Sequence, residues 1–286
     1  MPYDIKWGSA VRTDGSRTAV LALGDRGLRL DRIAGEVPAI GSLTLEHLIR
    51  HGLTDRIQQQ AFDGDWFNRF GESVADIPLT VPLHDPERIV GVGLNYRLHA
   101  HDLGEKVPEE PATFMKPTTT LLASGETLVI PRGIGTITAE AEIALVFGRS
   151  ARNTPRHEWS RHIFGLLTVI DMTAETVLRK NPRFLTRAKS YDGFLVLSPW
   201  IVPLSATEAD RPRTVRTLHN GRTVAENTTE AMQFPFDALV WWLTQGTTIR
   251  PTALLSTGTP GAVAVSPGDQ VTAWASGLPE TTVAIG

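Results

Sequence analysis

The sequence predicts a mixed α/β fold that is mainly β, with a small N-terminal α+β domain ahead of a larger strand-rich one. Three observations carry that expectation. From residue 86 onward, short runs of β-prone apolar residues follow one another with turn residues between them. The stretch Ile77-Pro78-Leu79-Thr80-Val81-Pro82-Leu83-His84-Asp85-Pro86 holds three prolines, which resist both a helix and a central strand, so it reads as a linker. A single core rarely grows beyond ~250 to 300 residues, so a chain of 286 suits one large domain with a smaller companion. The expected division is 1–85 and 86–286.

Element by element, residues 19–23 and 28–30 flank the turn Gly24-Asp25-Arg26-Gly27 and read as small antiparallel strands. Leu45, Leu48, Ile49 and Leu53 recur at helical spacing behind Ser42 or Thr44, either of which can cap. Strands are expected at 89–92, 127–130, 143–147, 166–170 and 195–197. Asn220-Gly221 lies between two β-prone arms, the strongest short hairpin signal. A helix is expected from Phe234 through Leu243, with Pro235 in its first turn and Gly246 past its end. Ser266-Pro267-Gly268-Asp269 then turns into a last pair of strands.

Composition excludes several classes. The net charge is -3 and charges of both signs are interspersed, so no basic stripe is present to neutralise phosphates and nucleic acid is not an expected partner. The start lacks the apolar core of a secretory signal, and no run reaches the ~18 apolar residues of a membrane helix, so a cytoplasmic protein without a membrane partner is expected. The absence of cysteine removes disulfides, thiolate ligands, iron–sulfur clusters and a cysteine nucleophile together.

Chemistry is carried by acidic residues. In a strand over 143–147 extended backwards, Glu140 and Glu142 project to one face with Ala144 and Val146. A solvated acidic strand end is the plainer reading of Glu-x-Glu. Apolar residues on both faces argue for a buried strand, and two buried neighbouring carboxylates need a metal ion or a pair of basic residues between them. Asp171 ends the apolar run 165–170, where an ordinary helix cap is the alternative. If the three carboxylates converge, an oxygen-only shell selects Mg2+, Mn2+ or Ca2+ over zinc. His99 and Asp102 stand three apart, so on a helical turn the carboxylate would orient the imidazole as a general base; a surface pair is the alternative. Gly91-Val92-Gly93 follows a strand, but Tyr96 stands where a third glycine would, against a dinucleotide loop. Thr257-Gly258-Thr259-Pro260-Gly261 is a tight turn able to offer Thr259 and backbone N–H groups to an anion, and Lys189 could hold a carboxylate or a developing oxyanion; a plain connecting turn and a lysine facing water are the alternatives.

Taken in order, Gly91-Val92-Gly93-Leu94-Asn95-Tyr96 with His99, Phe114-Met115-Lys116-Pro117, Glu140-x-Glu142, Asp171, Arg187-Ala188-Lys189-Ser190-Tyr191-Asp192, Asn220-Gly221 and Thr257-Gly258-Thr259-Pro260 resemble the fumarylacetoacetate hydrolase family over roughly residues 88–285. The resemblance implies a mixed β-sandwich roll, a homodimer, and Mg2+ on Glu140, Glu142 and Asp171. It implies a lid around His99, with His99 and Asp102 as the dyad that moves a proton. Lys189 is the further catalytic residue it implies, and Tyr96, Lys116, Gly258 and Thr259 are the substrate-binding ones. The expected reaction is hydrolytic cleavage of a C–C bond in a small 2-oxo or 1,3-dioxo acid. Decarboxylation or keto–enol isomerisation at the same site is the alternative, and a non-catalytic binding protein is the alternative of another class.

Four positions depart from the family pattern. Asp102 replaces a common glutamate, Glu175 and Leu178 replace an arginine and a glutamine that grip substrate, and Ala139 replaces a tyrosine, which is expected to widen that side of the pocket. An unmatched polar site loses about 1 to 3 kcal/mol, so an altered substrate is expected.

Overall fold

The computed structural model describes residues 5–36, 41–97 and 108–286. Strand Arg17–Leu23 turns through Gly24 and Asp25 into Arg26–Arg29, and the positive φ of Gly24 (+60°) is what lets two residues reverse the chain. Helix Leu45–Arg50 begins behind Thr44, whose hydroxyl accepts the His47 N–H, and buries Leu45, Leu48 and Ile49 as their spacing requires. Strand Ile5–Val11 carries no clear alternation, yet it joins the N-terminal elements to the rest. One edge pairs with Arg17–Leu23; the other pairs Trp7 with Ile201, Gly8 with Trp200, Ser9 with Thr80 and Ala10 with Leu79. The proline-rich stretch is therefore no solvated tether: Leu79–Thr80 is a short strand, and Val81 and Leu83 are buried.

The centre is an antiparallel pair of long strands, Ile137–Phe147 and Ile163–Thr173. Each is 11 residues, longer than 143–147 and 166–170 suggest, because Glu, Asp, Gly and Ala have low strand preference and hide the ends of the pattern. Both faces of the pair are covered. Ile143, Leu145 and Phe147 enter a core with Val271, Ala273 and Val283, while Ala144, Val146, Leu167 and Val169 enter a second core with Trp7, Leu21, Leu28 and Leu48. Among the described residues the strands form one sheet of 14 and one of five, which is the mainly β, mixed sandwich that the sequence predicts.

The remaining elements frame this centre. Strands Thr214–His219 and Arg222–Thr228 meet at Asn220 (φ +50°) and Gly221 (φ +76°), as a type I′ turn demands. Helix Phe236–Thr244 follows Pro235 and packs Phe236 on Trp159 with ring centroids 5.8 Å apart. No helix among the described residues is long and apolar enough to cross a membrane.

Candidate active site

Strand geometry builds the site. Glu140 and Glu142 are two apart and share a face, and Asp171 is the direct cross-strand partner of Glu140, so it shares that face too. One carboxylate oxygen from each of the three lies within 4.8 Å of the others. The trio stands at the end of the face whose continuation, Ala144 and Val146, enters the core shared with the N-terminal elements. Asp171 and Glu142 are fully buried, and Glu140 nearly so.

Charge is distributed unevenly over the trio. Lys116, from strand Ala112–Lys116, forms an ion pair with Asp171 Oδ1. Lys189, the last residue of helix Leu185–Lys189, donates to Asp171 Oδ2 at 2.6 Å and to Glu140 Oε2 at 3.0 Å. Thr173 Oγ1 donates to Glu140 Oε1 at 2.7 Å. Glu142 differs: its Oε2 accepts only neutral donors among the described residues, Ser256 Oγ at 2.5 Å and the Gly258 N–H at 2.9 Å. Burial, then the negative charges of Asp171 and Glu140, push its carboxyl up to about 8. Burial also opposes ionisation of Asp171, but Lys116 and Lys189 outweigh it and hold that carboxyl below its ordinary value. For Lys189 burial is overcome by Asp171, Glu140 and Glu142, which raise it; for Lys116 burial prevails and lowers it. The Phe114 ring lies 5.0 Å from Lys189 Nζ and 5.9 Å from Lys116 Nζ, a further favourable contact for both cations.

This donor set fits a hard divalent cation. Three carboxylates converge from two strands with no imidazole or thiolate, and the one least able to ionise makes no direct ion pair among the described residues, Lys189 acting on it only from a distance.

A second group of residues holds the site's wall. Buried Asn95 donates to Thr257 O at 2.7 Å and Phe234 O at 3.1 Å and accepts the Phe234 N–H at 2.9 Å, fixing the turn that aims Gly258 at Glu142. Thr259 Oγ1 closes this turn, donating to Gly261 O at 3.0 Å and accepting from Gly261 N at 3.2 Å. Tyr96 is buried beside Glu142, and its hydroxyl has no hydrogen-bond partner among the described residues; burial, then Glu142, raise its pKa.

Comparison with known proteins shows the family. The family model for the fumarylacetoacetate (FAA) hydrolase C-terminal domain matches residues 88–285. The chain belongs to the fumarylacetoacetate hydrolase family. It is thereby an enzyme of a family with several reaction types among its members. A 4-hydroxyphenylacetate degradation bifunctional isomerase/decarboxylase of Salmonella dublin is 33% identical over 67% of this chain and 45% of its own length. A mitochondrial oxaloacetate tautomerase, fahd2, of Xenopus laevis is 29% identical over 68% of this chain and 61% of its own length. The chain thus spans under two thirds of either relative. Maleylpyruvate hydrolase of Sphingobium sp. SYK-6, solved with manganese(II) and pyruvate, superposes with a TM-score of 0.76 over 98% of this chain and 99% of that one, at 22% identity, a likeness of fold.

Within this fumarylacetoacetate hydrolase domain, Glu140, Glu142, Asp171, Lys116, Lys189 and Gly258 come together, with Tyr96 beside them. His99 and Asp102 lie outside the described residues. Ala139 does not widen this pocket: alternation sends it to the opposite core, with Ala141 and Ile143. Glu175 pairs with Arg179 at 2.7 Å on the surface, and Leu178 packs against the same core as Ala139. Ser256 and Thr173 are parts of the site that residue patterns do not flag. Their role comes from register across strands, for which a single Ser or Thr carries no sequence signal.

Proposed function

We propose that this fumarylacetoacetate hydrolase family enzyme uses a divalent cation held by Glu140, Glu142 and Asp171 to cleave, with water, a C–C bond in a small 2-oxo or 1,3-dioxo acid. The observation that carries the reading is the convergence of three carboxylates, Glu142 and Asp171 buried and Glu140 partly so, in which Glu142 accepts hydrogen bonds only from neutral donors among the described residues. Mg2+ is the expected ion, and Mn2+ or Ca2+ suits the same oxygens. When bound, the cation supplies Lewis acidity to the oxygens of the oxo acid.

The chain's own residues do the rest. Lys189 ties Glu140 to Asp171 and places an ammonium group where negative charge develops. Lys116 holds the other Asp171 oxygen. The Tyr96 hydroxyl, with its proton kept by burial, is available to donate to a substrate oxygen. The turn bearing Gly258 and Thr259 closes the substrate side. The role that the family resemblance implies for His99 and Asp102 is to remove a proton from water as it adds to the carbonyl carbon and to return it to the departing carbon. A homodimer is the proposed assembly, to be read from the mass in solution by light scattering.

Glu142→Gln is the test. The variant should lose divalent-cation binding and turnover together, and full activity after chelator treatment would end the proposal. A second reading is supported by the isomerase/decarboxylase and tautomerase relatives. Product masses from a panel of 2-oxo and 1,3-dioxo acids separate the two: water gained indicates hydrolysis, CO2 lost decarboxylation, and unchanged mass isomerisation.

A further inference from the structure

The charges gathered at the site are poorly matched to a divalent cation alone. Glu140, Glu142 and Asp171 carry at most three negative charges, and the ammonium groups of Lys116 and Lys189 offset two of them through direct ion pairs. Lys116, Lys189, Glu142 and Asp171 are all buried, so their charges act on one another through little water. A divalent ion entering by itself would leave net positive charge in a buried site, which is costly. An anionic ligand entering with it restores neutrality.

We propose that Lys116 makes cation binding depend on the arrival of an anionic oxo acid, so that ion and substrate load the site together. The inference rests on the metal-centre reading above and deepens it. Lys116 carries this role for a geometric reason. Lys189 bridges two members of the trio and so maintains its shape, whereas Lys116 comes from a different strand and, among the described residues, bonds only Asp171 of the three. Its remaining contacts are Met172 O at 3.5 Å and the Phe114 ring. Lys116 is thus a positioning residue whose charge, more than its shape, matters.

The test is Mn2+ binding to the chelator-treated full chain, followed by calorimetry or by the electron paramagnetic resonance of free Mn2+. Sodium pyruvate is the anionic probe and 2,3-butanedione an uncharged probe that also offers two oxygens. Pyruvate should tighten Mn2+ binding at least about tenfold and butanedione less than about threefold, within the range of ordinary site-to-site coupling. Lys116→Met should bind Mn2+ alone more tightly than the wild type and lose most of the pyruvate effect, while Lys116→Arg should retain it. A purely structural Lys116 predicts the opposite sign, so equal or weaker Mn2+ binding by a folded Lys116→Met variant overturns the proposal. If that variant does not fold, the wild-type comparison decides: Mn2+ binding of equal strength with no addition, pyruvate or butanedione overturns the coupling and leaves the metal centre standing. Absence of Mn2+ binding under every condition removes the metal centre, and the coupling with it.

Discussion

Glu142 illustrates how a single side chain depends on two small neighbours. Its ionised form rests on the Ser256 hydroxyl and the Gly258 N–H. Ser256→Ala removes a hydrogen bond to a charged acceptor, a loss of about 1.5 to 3 kcal/mol. Mn2+ affinity should therefore fall roughly tenfold or more with the melting curve little changed, to be read by titration. Gly258 sits at φ +94°, and a Cβ there would stand 2.8 Å from Asn95 Cβ and 3.2 Å from Val92 O. Gly258→Ala should destabilise the fold by more than about 1 kcal/mol in denaturant unfolding and turn the N–H away from Glu142. Gly91 is constrained in a related way: a Cβ would collide with the Phe114 ring, 2.2 Å from Cζ, and so push that ring off the two lysines.

Elements add their own sensitivities. In the Thr214–Thr228 hairpin, Asn220 takes a left-handed conformation, accepts Gln270 N–H at 2.8 Å and donates to Asp269 at 2.9 Å. Asn220→Ala pays the left-handed penalty without those bonds, so the midpoint of urea unfolding should drop by an amount equivalent to about 1 to 2 kcal/mol. The segment after Leu79–Thr80 carries a pH dependence. Burial, then the positive Arg17, push half-buried His84 from 6.5 down to about 4, and its Nε2 has no hydrogen-bond partner among the described residues. The unfolded chain therefore takes up this proton at a higher pH than the folded one. The contribution of His84 to stability is intact above pH 6.5 and is lost as pH falls toward 4. Unfolding midpoints measured from pH 7 to 4 should fall across that window, and less steeply in His84→Gln.

At the scale of the whole molecule, the N-terminal elements and the catalytic strands share both a sheet and a core. Trp7 is fully buried in the core that also holds Ala144, Val146 and Val169. Gly8 leaves no room for a Cβ, which would lie 2.7 Å from Pro199 O and 2.8 Å from the Trp200 ring. This continuity predicts one cooperative unfolding transition for residues 5–36 and 88–285 together, measured by native-state hydrogen exchange. Trp7→Ala should cost about 3 to 5 kcal/mol and loosen both regions at once. Loss of protection confined to the N-terminal strands would show that the shared core is not energetically shared.

Much of this was legible in the residues alone. The two-residue turns at Gly24 and Asn220-Gly221, the helix behind Thr44 and the mainly β character follow from local rules, because φ preferences, caps and periodicity act over a few neighbours. That Glu140 and Glu142 share a face needs only the two-residue period of a strand. Register is another matter. Pairing Glu140 with Asp171, setting Ser256 and Gly258 on Glu142, bringing Lys116 and Lys189 onto one aspartate, and sending Ala139 to the far core all depend on which strands lie side by side. Those choices are made by burial of whole faces and hydrogen bonding across long sequence separations, which no local window contains. The sequence by itself determined the acidic residues and the strands that carry them; only the tertiary structure decided that Lys116 and Lys189 both pair with Asp171, because ion pairing there is set by the meeting of distant elements.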